Sequence, residues 1–255
     1  MGIFDEGLGR GPANHVPLSP VSFLARAAAI WPTRTAVIHG DRRVSYADFH
    51  TRARRLAGAL AAAGVGAGDT VAIMAPNTPE MLEAHYAVPG LGAALCCVNI
   101  RLDAAAIGFI LGHSEAKAVL VDREFAPVMA EALELSGRSP LVVDILDPAA
   151  PPNAPIGSIE YEAFLAGAEP VGALALPDDE WRPIGLNYTS GTTGNPKGVV
   201  ANHRGAYLNA CANALTFGLS PQSVYLWTLP MFHCNGWTYT WAVTLAGGKI
   251  GRAHV

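Results

Sequence analysis

The stretch Tyr188-Thr189-Ser190-Gly191-Thr192-Thr193-Gly194-Asn195-Pro196-Lys197-Gly198-Val199-Val200 brings three glycines, four hydroxyls and one lysine within ten residues, between two apolar runs. Glycine lets the backbone turn tightly and present N–H groups to an anion. Hydroxyls add short donors, and lysine adds a mobile positive charge. That is the chemistry a polyphosphate needs. The apolar run Pro183 to Tyr188 predicts a strand before the loop, and Asn202 to Phe217 predicts a helix after it. A strand, a glycine-rich loop and a helix N-terminus would together favour phosphate. Neither the G-x-x-x-x-G-K-[ST] nor the G-x-G-x-x-G pattern is present, because Lys197 is followed by Gly198. On composition alone, a flexible surface turn with an incidental lysine competes with the phosphate loop.

A second block lies downstream: Leu229-Pro230-Met231-Phe232-His233-Cys234-Asn235-Gly236-Trp237. The run T-S-G-T-T-G-x-P-K-G-V resembles, position for position, the signature loop of the adenylate-forming (AMP-binding) superfamily, and the second block resembles that family's P-x-F-H-x-x-G motif. The superfamily includes acyl-CoA synthetases, firefly luciferase and the adenylation domains of peptide synthetases. The resemblance covers nearly the whole chain. It implies ATP, Mg²⁺ and coenzyme A as partners, and a carboxylic acid as substrate. Thr189, Ser190, Gly191, Thr192, Thr193, Gly194 and Lys197 would hold the triphosphate, with Lys197 on the β- and γ-phosphates. His233 would sit at the carboxylate end of the acyl pocket, with Asn235, Gly236 and Trp237 beside the substrate. No acidic pair identifies ligands for Mg²⁺, and no metal-ligating residue is assigned. The implied chemistry is attack of a carboxylate on the α-phosphorus, release of pyrophosphate, and displacement of AMP by a thiol. The H-C-N-G-W variant points to short- to medium-chain fatty acids, hence to fatty-acid and lipid metabolism. A nucleotide-binding or non-functional truncated chain, and an adenylation domain for another acid, are the rival readings. His233 could also be a core histidine. A Cys234–His233 nucleophile is disfavoured, since sequence neighbours rarely point together.

These motifs need elements to carry them. Apolar strands are predicted at Thr70–Met74, Ala94–Val98, Ala118–Val121 and Leu141–Val143, alternating with helices at Glu80–Leu91, Asp103–Leu111 and Phe125–Leu135. Such alternation implies an α/β fold with mostly parallel sheets covered by helices; by resemblance it is the first part of the large N-terminal domain. Gly40-Asp41 predicts a hairpin. Ser45 and Asp48 form a capping-box pattern at the start of a helix. Arg52, Arg54 and Arg55 are expected on solvated faces of that helix. Residues 147–183 contain seven prolines, with only Ile159–Leu165 helical, and read as a boundary or lid inside one domain. Gly236 to Leu245 predicts a further helix, on which Trp237, Tyr239 and Trp241 either line an acyl tunnel or simply pack.

The chain has 255 residues, 51% hydrophobic and 15% charged, with a formal net charge of −4. A mild acidic balance argues against nucleic acid. Cys96, Cys97, Cys211 and Cys234 have no metal spacing. Free thiols and no apolar leader suggest a cytoplasmic protein, and the longest apolar run, Ala87 to Ile100, is too short to span a bilayer. Oligomeric state is not legible. The family's adenine-holding loop, ribose aspartate, hinge and C-terminal domain are absent, so an incomplete N-terminal piece is expected. The last six residues, Ile250-Gly251-Arg252-Ala253-His254-Val255, are what ATCGGAAGAGCACACGTC encodes, a string within a short-read sequencing adapter. Residues 1–249 are therefore expected to be a partial AMP-binding domain and 250–255 a non-native tail.

Overall fold

A computed structural model describes residues 2–4, 6–148, 150–151, 153–189 and 195–252. Ser190, Gly191, Thr192, Thr193 and Gly194, five of the expected phosphate-loop residues, lie outside the described residues.

The larger sheet has seven strands, numbered in chain order: β3 (Thr70–Met74), β4 (Ala94–Cys97), β5 (Ala118–Asp122), β6 (Leu141–Ile145), β7 (Ile159–Glu160), β8 (Pro183–Thr189) and β9 (Lys197–Asn202). Their spatial order is β7-β6-β5-β3-β4-β8-β9, parallel throughout except for the antiparallel β8–β9 pair. A smaller sheet has the order β10-β11-β1-β2, from β1 (Thr35–His39), β2 (Arg42–Ser45), β10 (Val224–Trp227) and β11 (Lys249–Arg252). The fold is α/β with mostly parallel sheets between helices.

The central strands read as unbroken apolar runs because both faces are covered. Val71, Ile73, Leu95, Cys97 and Leu120 pack toward α1 (Val21–Ile30), α2 (Tyr46–Ala62) and α3 (Pro79–Ala87). Ala72, Met74, Cys96, Val119 and Val121 pack toward α4 (Ala104–His113) and α5 (Ala126–Ser136) on the other face. The period of two in a strand therefore sends adjacent Cys96 and Cys97 in opposite directions. Both thiols are buried, and burial pushes Cys96 up to about 12, so neither is reactive. Helix starts follow the sequence: the Ser45 hydroxyl accepts from Asp48 N–H at 3.1 Å, and the Asp103 carboxylate accepts from Ala106 N–H at 2.9 Å.

Several expectations change. The glycine-rich loop does not lead into a helix. It leads into β9, and helix α7 (His203–Thr216) begins only at the far end of that strand, capped by the Asn202 side chain. The backbone of Lys197 to Asn202 is used in the ladder with β8, so the helix N-terminus is not offered to the loop. α3 stops at Ala87, and Pro89–Leu91 forms a single tight turn, because Pro89 has no N–H to continue the ladder. Ile159 and Glu160 are extended against β6, and the helix α6 covers only Tyr161–Ala166. The proline-rich segment is a strap, not a boundary. Arg54 and Val171 exchange N–H···O bonds of 2.7 and 3.1 Å, and Ala175 N–H bonds Gly90 O at 2.8 Å. Nor is the arginine face simply solvated: Arg52 holds Glu83 at 2.6 Å and Glu162 at 2.6 and 2.8 Å.

Candidate functional site

The register of the β8–β9 hairpin sets Lys197 directly across from Thr189 at the open end of the ladder. Val199 and Val200 on β9 supply the β-propensity, and Gly198 leaves room for the Leu186 side chain, where an added Cβ would sit 3.2 Å from its Cδ1. Beneath this end lies a cleft of about 580 Å³. Thr189, Asn187, Phe232, His233, Asn235 and Trp241 are on its wall. Lys197 is exposed at the hairpin rim and does not line the cleft itself.

His233 and Asn235 reach this wall through unusual backbone. Cys234, Asn235, Gly236, Trp237 and Thr238 have φ of 50°, 53°, 62°, 54° and 64°, five consecutive left-handed residues. This turn precedes the expected helix, which is confined to Tyr239–Ala246. For an L-residue such backbone costs roughly 1–2 kcal/mol, so four non-glycine positions must be held by their surroundings. Asn209 and Asn213 on α7 donate to the Thr238 hydroxyl at 2.9 and 3.1 Å, and Asn213 also to Trp237 O at 2.8 Å. The Thr240 hydroxyl donates to Asn235 O at 3.1 Å. Gly236 lies on Trp227, where a Cβ would come within 2.5 Å of the indole. Its place is thus structural contact with Trp227, and it is not on the cleft wall.

The other expected residues separate. His233 is exposed to the cleft, and Cys234 Sγ lies 3.8 Å from its Nδ1. The left-handed turn is what lets these sequence neighbours meet, contrary to expectation. Trp237 is 55% exposed and does not line the cleft; Trp241 is buried and lines it. Tyr239 stacks on Tyr225 at 4.9 Å, as packing.

Sequence reasoning missed the residues beneath the cleft. His85 on α3 is fully buried, and burial lowers its pKa to about 4. Its Nδ1 contacts Met81 O at 2.7 Å, and its Nε2 lies 3.4 Å from Asn235 Nδ2. Asn235 Oδ1 in turn accepts from Asn187 Nδ2 at 2.9 Å. No spacing rule could join residues 85, 187 and 235. An asparagine in an apolar strand was the one available signal, at Asn187. Tyr188 bonds His113 Nδ1 through its hydroxyl at 2.7 Å, outside the relay.

A second cavity, about 440 Å³, lies between the β1–β2 hairpin and β6–β7. His39, Arg42, Glu80, Asp147, Tyr161 and Glu162 line it. In it Arg42 pairs with Glu80 at 2.6 Å, and His39 Nε2 contacts Asp147 Oδ1 at 3.2 Å. Among the described residues, no group of three or more His, Cys, Asp or Glu side chains is arranged to hold a metal ion. No helix there is long and apolar enough to cross a membrane.

Fold and site together define an α/β domain with a ligand cleft at the base of a lysine-bearing hairpin. A model of the AMP-binding enzyme family matches residues 24–254, and the chain belongs to that family. It is 48% identical over 250 residues to an acetate–CoA ligase of Humulus lupulus, covering 93% of this chain and 44% of the relative. It is 47% identical over 255 residues to a peroxisomal acetate/butyrate–CoA ligase of Arabidopsis thaliana, covering 95% and 45%. A peroxisomal benzoate–CoA ligase of the same plant is 42% identical over 253 residues, covering 95% and 44%. The crystal structure of an anthranilate CoA ligase with anthranoyl-AMP superposes with a TM-score of 0.84 at 20% identity, covering 95% of this chain and 46% of that one, which supports the fold. The chain thus spans a little under half the length of these relatives. The cytoplasmic expectation does not stand, because several relatives are peroxisomal. Free thiols report a reducing environment and not which compartment provides it.

Proposed function

We propose that this chain is part of an ATP-dependent acid–CoA ligase that activates a short- to medium-chain aliphatic acid, first to the acyl-adenylate and then to the acyl-CoA thioester. The observation that carries this reading is the hairpin register: it puts the Lys197 strand opposite Thr189, at the rim of a cleft whose wall presents His233. A carboxylate is a poor acyl donor until its oxygen is esterified to AMP. The chain's task is therefore electrostatic and positional. Lys197 and the hydroxyls of the loop from Thr189 to Thr193, with Gly191 and Gly194, neutralise the departing pyrophosphate. His233 orients the carboxylate, with Asn235 behind it. Gly236 keeps the turn against Trp227, and Trp237 is assigned to substrate contact only when the remaining length found in relatives is present. No carboxylate is on the described cleft wall, so Mg²⁺ would arrive with the nucleotide phosphates, where it would neutralise charge. The bulk of Phe232 and Trp241 limits the acyl end of the wall, which suits a short aliphatic chain.

Pyrophosphate release tests this over acetate, butyrate, hexanoate, octanoate, benzoate and cinnamate. It should be measured on the chain alone and on the chain extended by the C-terminal half of a relative. The extended protein should prefer an aliphatic acid, and the chain alone should bind ATP without turnover. Preference for benzoate or cinnamate would overturn the substrate class; no release with any acid would overturn the ligase reading.

We also propose that 1–249 is a partial AMP-binding domain and that 250–255 has another origin, although the family model extends through residue 254. β11 pairs Ile250 with Val37 and Tyr225 through backbone atoms, which any residue supplies, so strand pairing is compatible with either origin. Resequencing the coding DNA across Gly247 to Val255 decides it: the same codons in independently prepared DNA would overturn the proposal.

A further inference from the structure

We propose that His85, which touches no face of the cleft, is a positioning residue for the ligase reaction: it fixes, through Asn235, both the orientation of the Asn187 amide and the left-handed turn that carries His233. The proposal rests on the ligase reading for its activity test only.

Each link constrains the next. Met81 O can only accept, so the 2.7 Å contact requires His85 Nδ1 to carry the proton. A neutral imidazole then has a bare Nε2, which must accept. Its nearer neighbour, at 3.4 Å, is the Asn235 side-chain amide, which presents its NH₂ group. Cys97 Sγ, 3.9 Å from Nε2 and 3.8 Å from Asn235 Nδ2, fills the same corner. With NH₂ toward His85, Asn235 turns Oδ1 toward Asn187, which answers with its own NH₂ at 2.9 Å. Asn187 Oδ1 is then left buried at the cleft wall with no hydrogen-bond partner. One proton on one ring nitrogen thus decides the orientation of two amides in sequence.

The imidazole is itself held. Trp241 Nε1 donates to His85 O at 3.2 Å, and the two rings meet edge to face at 5.6 Å. Gly185 leaves room for Asn235, since an added Cβ would sit 3.1 Å from its Oδ1. Asn209 and Asn213 hold the far end of the turn at Trp237 and Thr238, and Asn235 anchors the near end, two residues after His233. Loosening the relay frees the strained turn to relax, and His233 moves with it.

Two experiments test this. Imidazole nitrogen NMR on the histidine-labelled 255-residue chain, with the His85 signal assigned from His85→Gln, should show Nδ1 protonated and Nε2 bare between about pH 5 and pH 8. An Nε2-protonated or charged ring would overturn the relay, whatever the enzyme does. In the chain extended by a relative's C-terminal half, His85→Phe should lower kcat/KM for the acid roughly tenfold, leaving KM for ATP unchanged, and His85→Gln should restore it to within about threefold, since an amide again offers one donor and one acceptor. Full activity in His85→Phe, or no recovery in His85→Gln, would overturn the positioning role. If the unsubstituted protein releases no pyrophosphate, the ligase reading falls and the NMR result alone decides the relay.

Discussion

The two cavities differ in how their polar groups are satisfied. Around Arg42 and Glu80, charge meets charge. Arg52 extends the same network, binding buried Glu83 and the partly exposed Glu162, while the Tyr161 hydroxyl donates to Glu83 at 2.6 Å. Those contacts tie α2, α3 and the proline-rich strap together. Around His233 the described wall has no Asp, Glu, Lys or Arg, the turn that carries Asn235 is left-handed, and a buried acceptor on Asn187 has no hydrogen-bond partner. A region whose groups are already paired has little left to offer a ligand. A region with unpaired groups on strained backbone is stable only because its surroundings hold it, and such regions serve function more often than stability. The cavity with more ionisable groups is therefore the structural one.

Substitutions can break that contrast. The largest effect should be on stability in the charged region. Arg52→Met leaves Glu83, 1% exposed, without its cation and should cost about 3–5 kcal/mol near pH 8, read from the urea midpoint. A loss below about 1 kcal/mol would mean the network is not what holds the strap. At the His233 cleft the leading effect should be on turnover: Lys197→Ala in the extended protein should lower pyrophosphate release about 10- to 150-fold, the equivalent of roughly 1.5–3 kcal/mol. Unchanged release would remove Lys197 from the reaction. Gly236→Ala should cost about 1–3 kcal/mol, since the new methyl meets Trp227. Thermal unfolding checks it, and an unchanged midpoint would show that the turn can move off the indole.

The smallest effect is a pH dependence of the charged region. Burial raises Asp122 to about 7, helped by Asp147, Glu124 and Glu80, and burial raises Glu83 to about 7 despite Arg52. The folded state then keeps protons that the unfolded chain has lost, from the ordinary carboxyl range up to about 7. Stability should fall as pH rises through that window. Asp122→Asn should remove part of the slope and add about 1–2 kcal/mol near pH 8, with no gain near pH 4. Equal gains at both pH values would show that charge is not the cause.

Much of this molecule was legible in advance. β3 runs from Thr70 to Met74 as its apolar run implied, and the caps at Ser45 and Asp103 begin their helices where the side chains can accept. These are local effects, set by neighbours a few residues away. The hairpin β8–β9 is not foreseen in the sequence, because the apolar run after the loop becomes a strand only by pairing with β8. Arg52 looked solvated because its partners lie far along the chain.

The sequence by itself determined the alternating α/β order, the covered parallel strands and the two motifs, since each depends on residue type at short spacing. Only the tertiary structure decided which motif residues face the cleft, why Gly236 and Trp237 do not, and that His85 stands behind Asn235. Those facts depend on contacts between residues from nine to 150 positions apart, and on a run of left-handed backbone that its own residues disfavour and the surrounding fold maintains.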